Sequence, residues 1–404
     1  MAQAERSVSY RALLEVPGFV RLAGATLLVR TASSMWQLAL VLFILSRYGS
    51  PTLAGISVFL SSAPGILVSP IAGALLDRYG RARLMVADYL VSALALTTIV
   101  LLTAVDAPLP VVLLPVIVSS LTNPLGTAGS RSLFPLMVPA RLWDRANAVD
   151  SIAYMTTTVI GAPLAGAIVA FTSAQFAIAA TAAVYVAGAV TLAGVSDVAR
   201  LGPPSGRLLA EARDGLTYVL RNITLRGLAV GMSIQAMGHG ILLVALPVLV
   251  LDRGYGGPSV VGALWAVMGI VGIAAGLVAG RLGSAGRERP MLVGAILFNG
   301  IGFVALANAG SFASVAAAVV IIGAGSAVAD VAMFSLRQRA TDVAWFGRAF
   351  AVSMHLNYSG VPVGSALSGP LLAVSIPFAF GGAALLAALS AGITWLMVPS
   401  SRGD

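Results

Sequence analysis

Long apolar runs broken by short polar stretches set the pattern of this chain. They lie at about 19–46, 53–76, 84–105, 109–130, 146–170 and 174–195, and again at about 225–250, 260–280, 290–309, 312–334, 348–372 and 376–398. Each is close to the ~20 residues that an α-helix needs to cross the hydrocarbon of a bilayer. The apolar positions are continuous and do not alternate, which predicts helices and not a strand barrel. A polar stretch from Ser196 to about Arg221 divides the runs into two sets of six. The expected fold is an all-α integral membrane protein of twelve transmembrane helices, in two six-helix bundles over 1–197 and 223–404. The segment 198–222 is then a cytoplasmic linker. Within it, GRLLAEARDGLTYVLRN (206–222) spaces its leucines for a helix lying on the inner membrane surface.

Composition sharpens this picture. Only 10% of residues are charged, against about 25% in an ordinary soluble domain, and the mean hydropathy is +0.96. The first seventeen residues carry charge and no apolar signal core, so no cleaved signal peptide is expected. There is no cysteine, which excludes disulfides, thiol catalysis and thiolate metal sites. All 24 basic residues are arginine. A phosphate-binding loop that needs lysine is therefore absent, and the chain does not supply its own Walker-type ATPase.

The net charge of +9 would suit a nucleic-acid binder, but the arginines are spread over many loops. With both termini cytoplasmic, twenty-one of them fall on inner segments, only Arg47 and Arg253 fall outside, and Arg30 lies within a run. That distribution is the positive-inside pattern of a membrane protein, and no nucleic-acid partner is expected.

The two sets of runs repeat at an offset of 203 residues. Gly73, Asp77, Arg78 and Gly80 correspond to Gly276, Gly280, Arg281 and Gly283. Arg145, Gly161 and Gly166 correspond to Arg348, Gly364 and Gly369. Six crossings return the chain to the side where it began, so the halves form a parallel repeat.

At Gly73-Ala-Leu-Leu-Asp77-Arg78-Tyr79-Gly80-Arg81-Ala82-Arg83 the chain resembles the major facilitator superfamily, whose loop between its second and third helices reads G-x-x-x-D-R-x-G-R-[KR]-x. One basic position of that pattern is Ala82 here. The twofold repeat extends the resemblance over nearly the whole chain. It implies that Asp77 faces the N-terminal end of helix eleven near Arg348, where a carboxylate is favoured. Gly73, Asp77, Arg78, Gly80 and Arg81 then form a latch between the halves, and Gly73 lets two helices approach closely. Gly272, Gly276 and Gly280 make a four-spaced stripe in the second copy, which has lost the aspartate. In helix five, Gly161, Pro163 and Gly166 resemble the glycine-proline pattern of drug antiporters, with Ala162 and Ala167 at two of its glycine positions. Such a helix packs closely and can kink. Leu27 to Leu42 resembles a bacterial exporter-like branch of the superfamily. The arginine-bearing helix-four motif is absent, since 116–128 contains no arginine.

Charged groups inside a membrane are costly and mark functional sites. Arg30 stands near the midplane, with Ser34 and Gln37 on the same helical face. It suits an anionic or polar substrate, or holds an acid partner. Asp88, Asp150 and Asp330 fall near inner boundaries, and Asp150 and Asp330 are placed to pair with Arg145, Arg337 or Arg348. Gln235 with His239, and His355 with Tyr358, line faces of helices seven and eleven. Asn123, Tyr154, Trp265 and Asn357 are further cavity candidates. No H-E-x-x-H or intramembrane serine-protease site is present, so no enzyme, metal or cofactor is expected.

The function expected is a secondary active exporter of small lipophilic or amphipathic compounds, working by rocker-switch alternating access around a midplane site. Proton antiport and residence as a monomer in the bacterial cytoplasmic membrane are what the resemblance implies. Two alternatives stay open: a narrow importer or facilitator of a polar or anionic metabolite, and a lysolipid or lipid transporter.

Overall fold

The structure is a computed structural model that describes residues 10–195, 197, 208–342 and 345–399. The expectations for both termini, and for 198–207 of the linker, lie outside the described residues, as does the side chain of Arg348. The described secondary structure is helical. A short α1 (Tyr10–Leu14) precedes α2 (Phe19–Tyr48), α3 (Pro51–Leu60), α4 (Ala63–Tyr79), α5 (Arg81–Ala104), α6 (Leu109–Met137), α7 (Trp143–Phe171) and α8 (Ala174–Leu192). Then follow α9 (Leu208–Arg221), α10 (Ile223–Asp252), α11 (Pro258–Leu282), α12 (Glu288–Ala307), α13 (Phe312–Ala340), α14 (Phe346–Tyr358), α15 (Gly360–Val374) and α16 (Ile376–Met397).

Eleven helical stretches among the described residues are long and apolar enough to cross a membrane. The run at 348–372 is not one of them, because it is divided into α14 and α15 at Ser359–Gly360. The division coincides with a close contact. A β-carbon at Gly360 would collide with the backbone of Ser233 on α10, and the hydroxyls of Ser233 and Ser359 lie 3.1 Å apart. Elsewhere the helices outrun the apolar pattern. α6 continues to Met137 and α13 to Ala340, because a helix needs no apolar residues once it leaves hydrocarbon and stops only at a cap or breaker. α7 runs unbroken through Pro163.

The chain packs as two compact units. In the first, drawn from 1–39 and 60–208, α5 lies along α6 and α8, and α4 lies along α6. In the second, drawn from 40–59 and 209–404, α10 packs on α15 and α16, and α12 packs on α13 and α16. Residues 40–59 join the second unit through glycine contacts: Gly55 abuts the Ser365 backbone, and Gly369 abuts Thr52. Membrane helices gain no hydrophobic drive from leaving lipid, so close van der Waals approach of small residues takes its place.

The 203-residue repeat extends to contacts. Gly161 on α7 abuts Ser34 on α2, and 203 positions on, Gly364 on α15 abuts Met237 on α10. Gly80 and Gly283, also paired by the offset, turn the chain with φ of 96° and 67°, a region that disfavours a side chain.

α9 is fastened to the second unit. Tyr218 stacks on Trp345 with ring centroids 4.9 Å apart, and its hydroxyl donates to the Asp342 carboxylate at 3.1 Å and accepts from the Asp342 N–H at 3.0 Å. Asn222 caps α10 by accepting from the Leu225 N–H and donates to the Ala340 carbonyl at 2.8 Å. Val219 and Leu225 are buried beneath these contacts, with Val352 and Leu356 packed against them. One side of α9 thus serves protein packing, while Leu216 and Leu220 are exposed on another. Tyr218→Ala should cost about 1–3 kcal/mol locally, from one aromatic stack and two hydrogen bonds. Hydrogen exchange of α9 should rise accordingly, and rise less in Tyr218→Phe. Unchanged exchange in both variants would show that the stack does not hold the helix.

Candidate substrate and coupling site

Arg30 on α2 reaches Asp150 on α7. Its Nη1 lies 2.8 Å from Oδ1 and donates to the Asp150 carbonyl at 3.2 Å, while Nη2 donates to Oδ2 at 3.2 Å. The guanidinium also lies over the Tyr154 ring, 5.8 Å from its centroid. Both charged side chains are partly open, at 21% and 33%, and Tyr154 is exposed. The site therefore presents a self-neutralised ion pair beside an aromatic face.

This pairing corrects the expectation that Asp150 turns to Arg145, Arg337 or Arg348. The reason lies in the way α2 and α7 cross. From Arg30 to Ser34 is four residues, about 6 Å of helix rise, but from Asp150 to Gly161 is eleven, about 16 Å. Ser34 touches Gly161 directly. Arg30 is long enough to make up the remaining distance along α7, as arginine stems do when they carry their charge to a polar partner. Ser34 thus takes part in helix packing beside Arg30. Gln37 and Asn123 are exposed on α2 and α6, outside this contact.

The polar groups around the pair include several that the apolar pattern does not flag. Ser33 on α2 shares a hydrogen bond with the Tyr185 hydroxyl on α8 at 3.0 Å. Tyr89 and Asp88 on α5 are both buried. Asp88, seven residues into α5, is enclosed between α5 and Gly126 of α6. A signal is present in the adjacent Asp88-Tyr89 pair inside an apolar run.

Within the first unit the Asp77 cluster makes local contacts, and the expected approach to Arg348 lies outside the described residues. Asp77 pairs with Arg81 four residues later at 2.6 Å. Arg78 lies over the Tyr79 ring at 5.4 Å. Asp197, after α8, caps α5 by accepting from the Ala82 N–H at 2.6 Å, and it fills the space beside Gly80. A carboxylate is favoured at that helix N-terminus. Gly73 does not give a close helix approach: a β-carbon there would meet nothing within 4 Å among the described residues. In the second copy Gly272 and Gly276 make ordinary contacts with α13, and Gly280 makes none within 4 Å.

In the second unit, His239 and Trp265 meet edge to face at 5.8 Å. Gln235 Oε1 has no hydrogen-bond partner among the described residues and is not joined to His239. Asp330, His355 and Tyr358 are exposed. Asp330 and Tyr358 are within electrostatic range of Arg337, which is fully buried and donates to Met354 Sδ. Turning the Asn357 amide also lets its oxygen accept from Arg337. Glu288, buried at the start of α12, pairs with Arg339 at 3.1 Å. No cluster of three metal-binding side chains occurs among the described residues.

Comparison with known proteins places this arrangement. The family model of the Major Facilitator Superfamily matches residues 22–365. An uncharacterized MFS-type transporter, y4rN of Sinorhizobium fredii (strain NBRC 101917 / NGR234), is 37% identical over 399 residues, 98% of each chain. Among solved structures, a mutant of the nucleoside transporter NupG aligns with a TM-score of 0.77 at 12% identity, over 94% of this chain and 99% of its own. A bacterial homologue of the iron transporter ferroportin, in its inward-facing state, gives 0.73 at 17% identity, over 95% and 98%. A D-xylose-proton symporter gives 0.74 at 14% identity, over 97% and 99%. These structures share the fold, and the family match covers most of the chain, the repeated helices and the charged loop after α4 included: the chain belongs to the major facilitator superfamily.

Proposed function

We propose that this chain is a proton-coupled secondary transporter that exports small lipophilic or amphipathic compounds by alternating access. The reading includes twelve crossings, with α14 and α15 together making the crossing that neither makes alone. It also includes cytoplasmic termini, a monomer, and residence in the bacterial cytoplasmic membrane. Its main support is the Arg30–Asp150 pair beneath Tyr154. Because the arginine already has a carboxylate partner, it does not require an anionic ligand, and the exposed aromatic face beside it suits an apolar one. The pair can be closed or opened, which gives it two states for a coupling ion to choose between. The D-xylose-proton symporter joins proton coupling to the same fold.

A second reading, carriage of an anionic metabolite, draws on the partial exposure of the guanidinium. An anion would compete with Asp150 for Arg30. The discriminating experiment is efflux of a panel of cationic, neutral and anionic dyes from bacteria expressing the protein, with and without an uncoupler. Export of cationic and neutral dyes that collapses with the uncoupler supports the first reading. Movement of anionic compounds alone supports the second.

Two substitutions probe the parts. Asp150→Asn should cost about 1–3 kcal/mol of stability, less than a fully buried pair would lose because the groups are partly solvated. The exchange Arg30→Asp with Asp150→Arg should recover most of that in thermal unfolding without recovering transport. Recovery of transport would reduce the pair to a structural strut. Asp77→Asn removes a partly exposed i,i+4 helix pair worth only about 0.3–0.5 kcal/mol, so expression should stay near normal. If the cluster is a latch, transport should nevertheless fall at least severalfold, and wild-type transport rates would remove that role.

A further inference from the structure

We propose that Asp88 is a proton-binding site of the transport cycle, linked to Arg30 through Tyr89 and Tyr185. The inference rests on the proton-coupled reading above and assigns that reading a second acidic group.

Asp88 lies within the membrane-spanning part of α5 and is 2% exposed. Its Oδ1 has no hydrogen-bond partner, and no arginine lies within ion-pair distance among the described residues. The position is shaped for a carboxyl group. A β-carbon at Gly126 on the facing α6 would collide with Asp88 Oδ2, so only glycine leaves room for it. Thr122 and the Gly126 backbone are its polar neighbours on α6. One turn along α5, Ser92 accepts from Ser119 at 3.3 Å. An ionised carboxylate in such a place lacks the counter-charge that would offset its desolvation, whereas a carboxylic acid is readily accommodated. A seam that has kept space for this group, with no cation beside it, is suited to holding a proton.

The groups around Asp88 connect it to the ion pair. Tyr89 is its chain neighbour and is 1% exposed. Tyr89 interacts electrostatically with Asp88, with Tyr185 and with Arg30. Tyr185 also interacts with Asp88 and hydrogen-bonds Ser33, three residues along α2 from Arg30. α5 packs against α4, α6 and α8; among the described residues Tyr185 of α8 is the titratable group that interacts with Asp88, and Arg30 of α2 is the charged group that interacts with Tyr89. α6 contributes Thr122, Ser119 and Gly126, and α4 contributes Gly65, whose N–H donates to Ser120. A negative charge at Asp88, acting through Tyr89, draws Arg30 away from Asp150 and leaves the Asp150 carboxylate to a cationic ligand. A proton on the Asp88 carboxylate removes that pull and restores the Arg30–Asp150 pair. One proton is taken from water on one side and returned to water on the other, with no other bond made or broken. By linkage, a ligand that separates Arg30 from Asp150 weakens proton binding at Asp88 by the same factor.

Infrared pH titration of the purified protein in phosphatidylethanolamine–phosphatidylglycerol vesicles tests the site without a known substrate. Wild type should show a carboxylic-acid C=O band that disappears on raising the pH and is missing from Asp88→Asn. Tyr89→Phe, which keeps the carboxyl and the ring, should retain the band and shift its midpoint. Bands identical in wild type and a folded Asp88→Asn, or an unshifted midpoint in Tyr89→Phe, would overturn the assignment. The transport arm uses ethidium in the same vesicles. With one proton exchanged per cycle, a one-unit pH gradient supports about tenfold accumulation. Asp88→Asn should equilibrate ethidium but lose that accumulation, and full accumulation by the variant would overturn the coupling role. If wild type moves no ethidium, the export reading fails for this dye, while the infrared result still decides Asp88.

Discussion

A guanidinium cannot remain alone in hydrocarbon. Arg30 keeps its charge inside the first membrane helix because Asp150 supplies a carboxylate and a carbonyl, and Tyr154 supplies a ring face. That requirement brings α2 and α7 together, and the contact between Ser34 and Gly161 holds them there. Ser33 and Tyr185 extend the same polar seam to α8, and Tyr89 extends it to α5. The first unit is therefore organised around one compensated charge, with apolar packing filling in around it. The second unit contains a different solution. Arg337 is buried where Met354, Phe334 and Asn357 surround it, and Asp330 lies within its field.

Both units use the same helix contacts under these different polar groups. The pairs Gly161–Ser34 and Gly364–Met237 occupy equivalent places, yet the residues 203 positions after Arg30 and Asp150 are Ser233 and Ser353. The packing contact is present in both units while the polar groups differ, with serines in the second at the places of Arg30 and Asp150. This is the expected outcome when helix contacts tolerate no added atom but polar side chains beside them are under no such limit.

The helices are legible from the apolar runs because hydrocarbon leaves the backbone no other partner than itself. The division at Ser359–Gly360 is not, since apolar residues continue across it and the break is tied to a contact with Ser233, over a hundred positions away. Gly80 is recognisable as a turn, but the acid that serves it, Asp197, is separated from it by more than a hundred residues and belongs to no motif. Arg30 stands out as a midspan charge. Its partner does not, because a count of residues from the membrane boundary ignores the crossing of α2 over α7 and the reach of the arginine stem. Gly73 shows the opposite case: a motif glycine at a helix end suggests close packing, yet among the described residues nothing stands within 4 Å of where its β-carbon would be.

The glycine contacts also have a genetic consequence. Any missense change in a glycine codon adds at least a β-carbon. At Gly55, Gly161, Gly360 and Gly364 that atom would fall on a neighbouring helix, in three of these cases on its backbone, which cannot rotate aside. Alleles that inactivate this gene will therefore concentrate at codons whose side chains carry no chemistry, leaving the polar cavity positions freer to drift. Divergence of ligand preference among descendants of such a chain can proceed by ordinary point mutation, while the spacing of the helices is inherited almost unchanged.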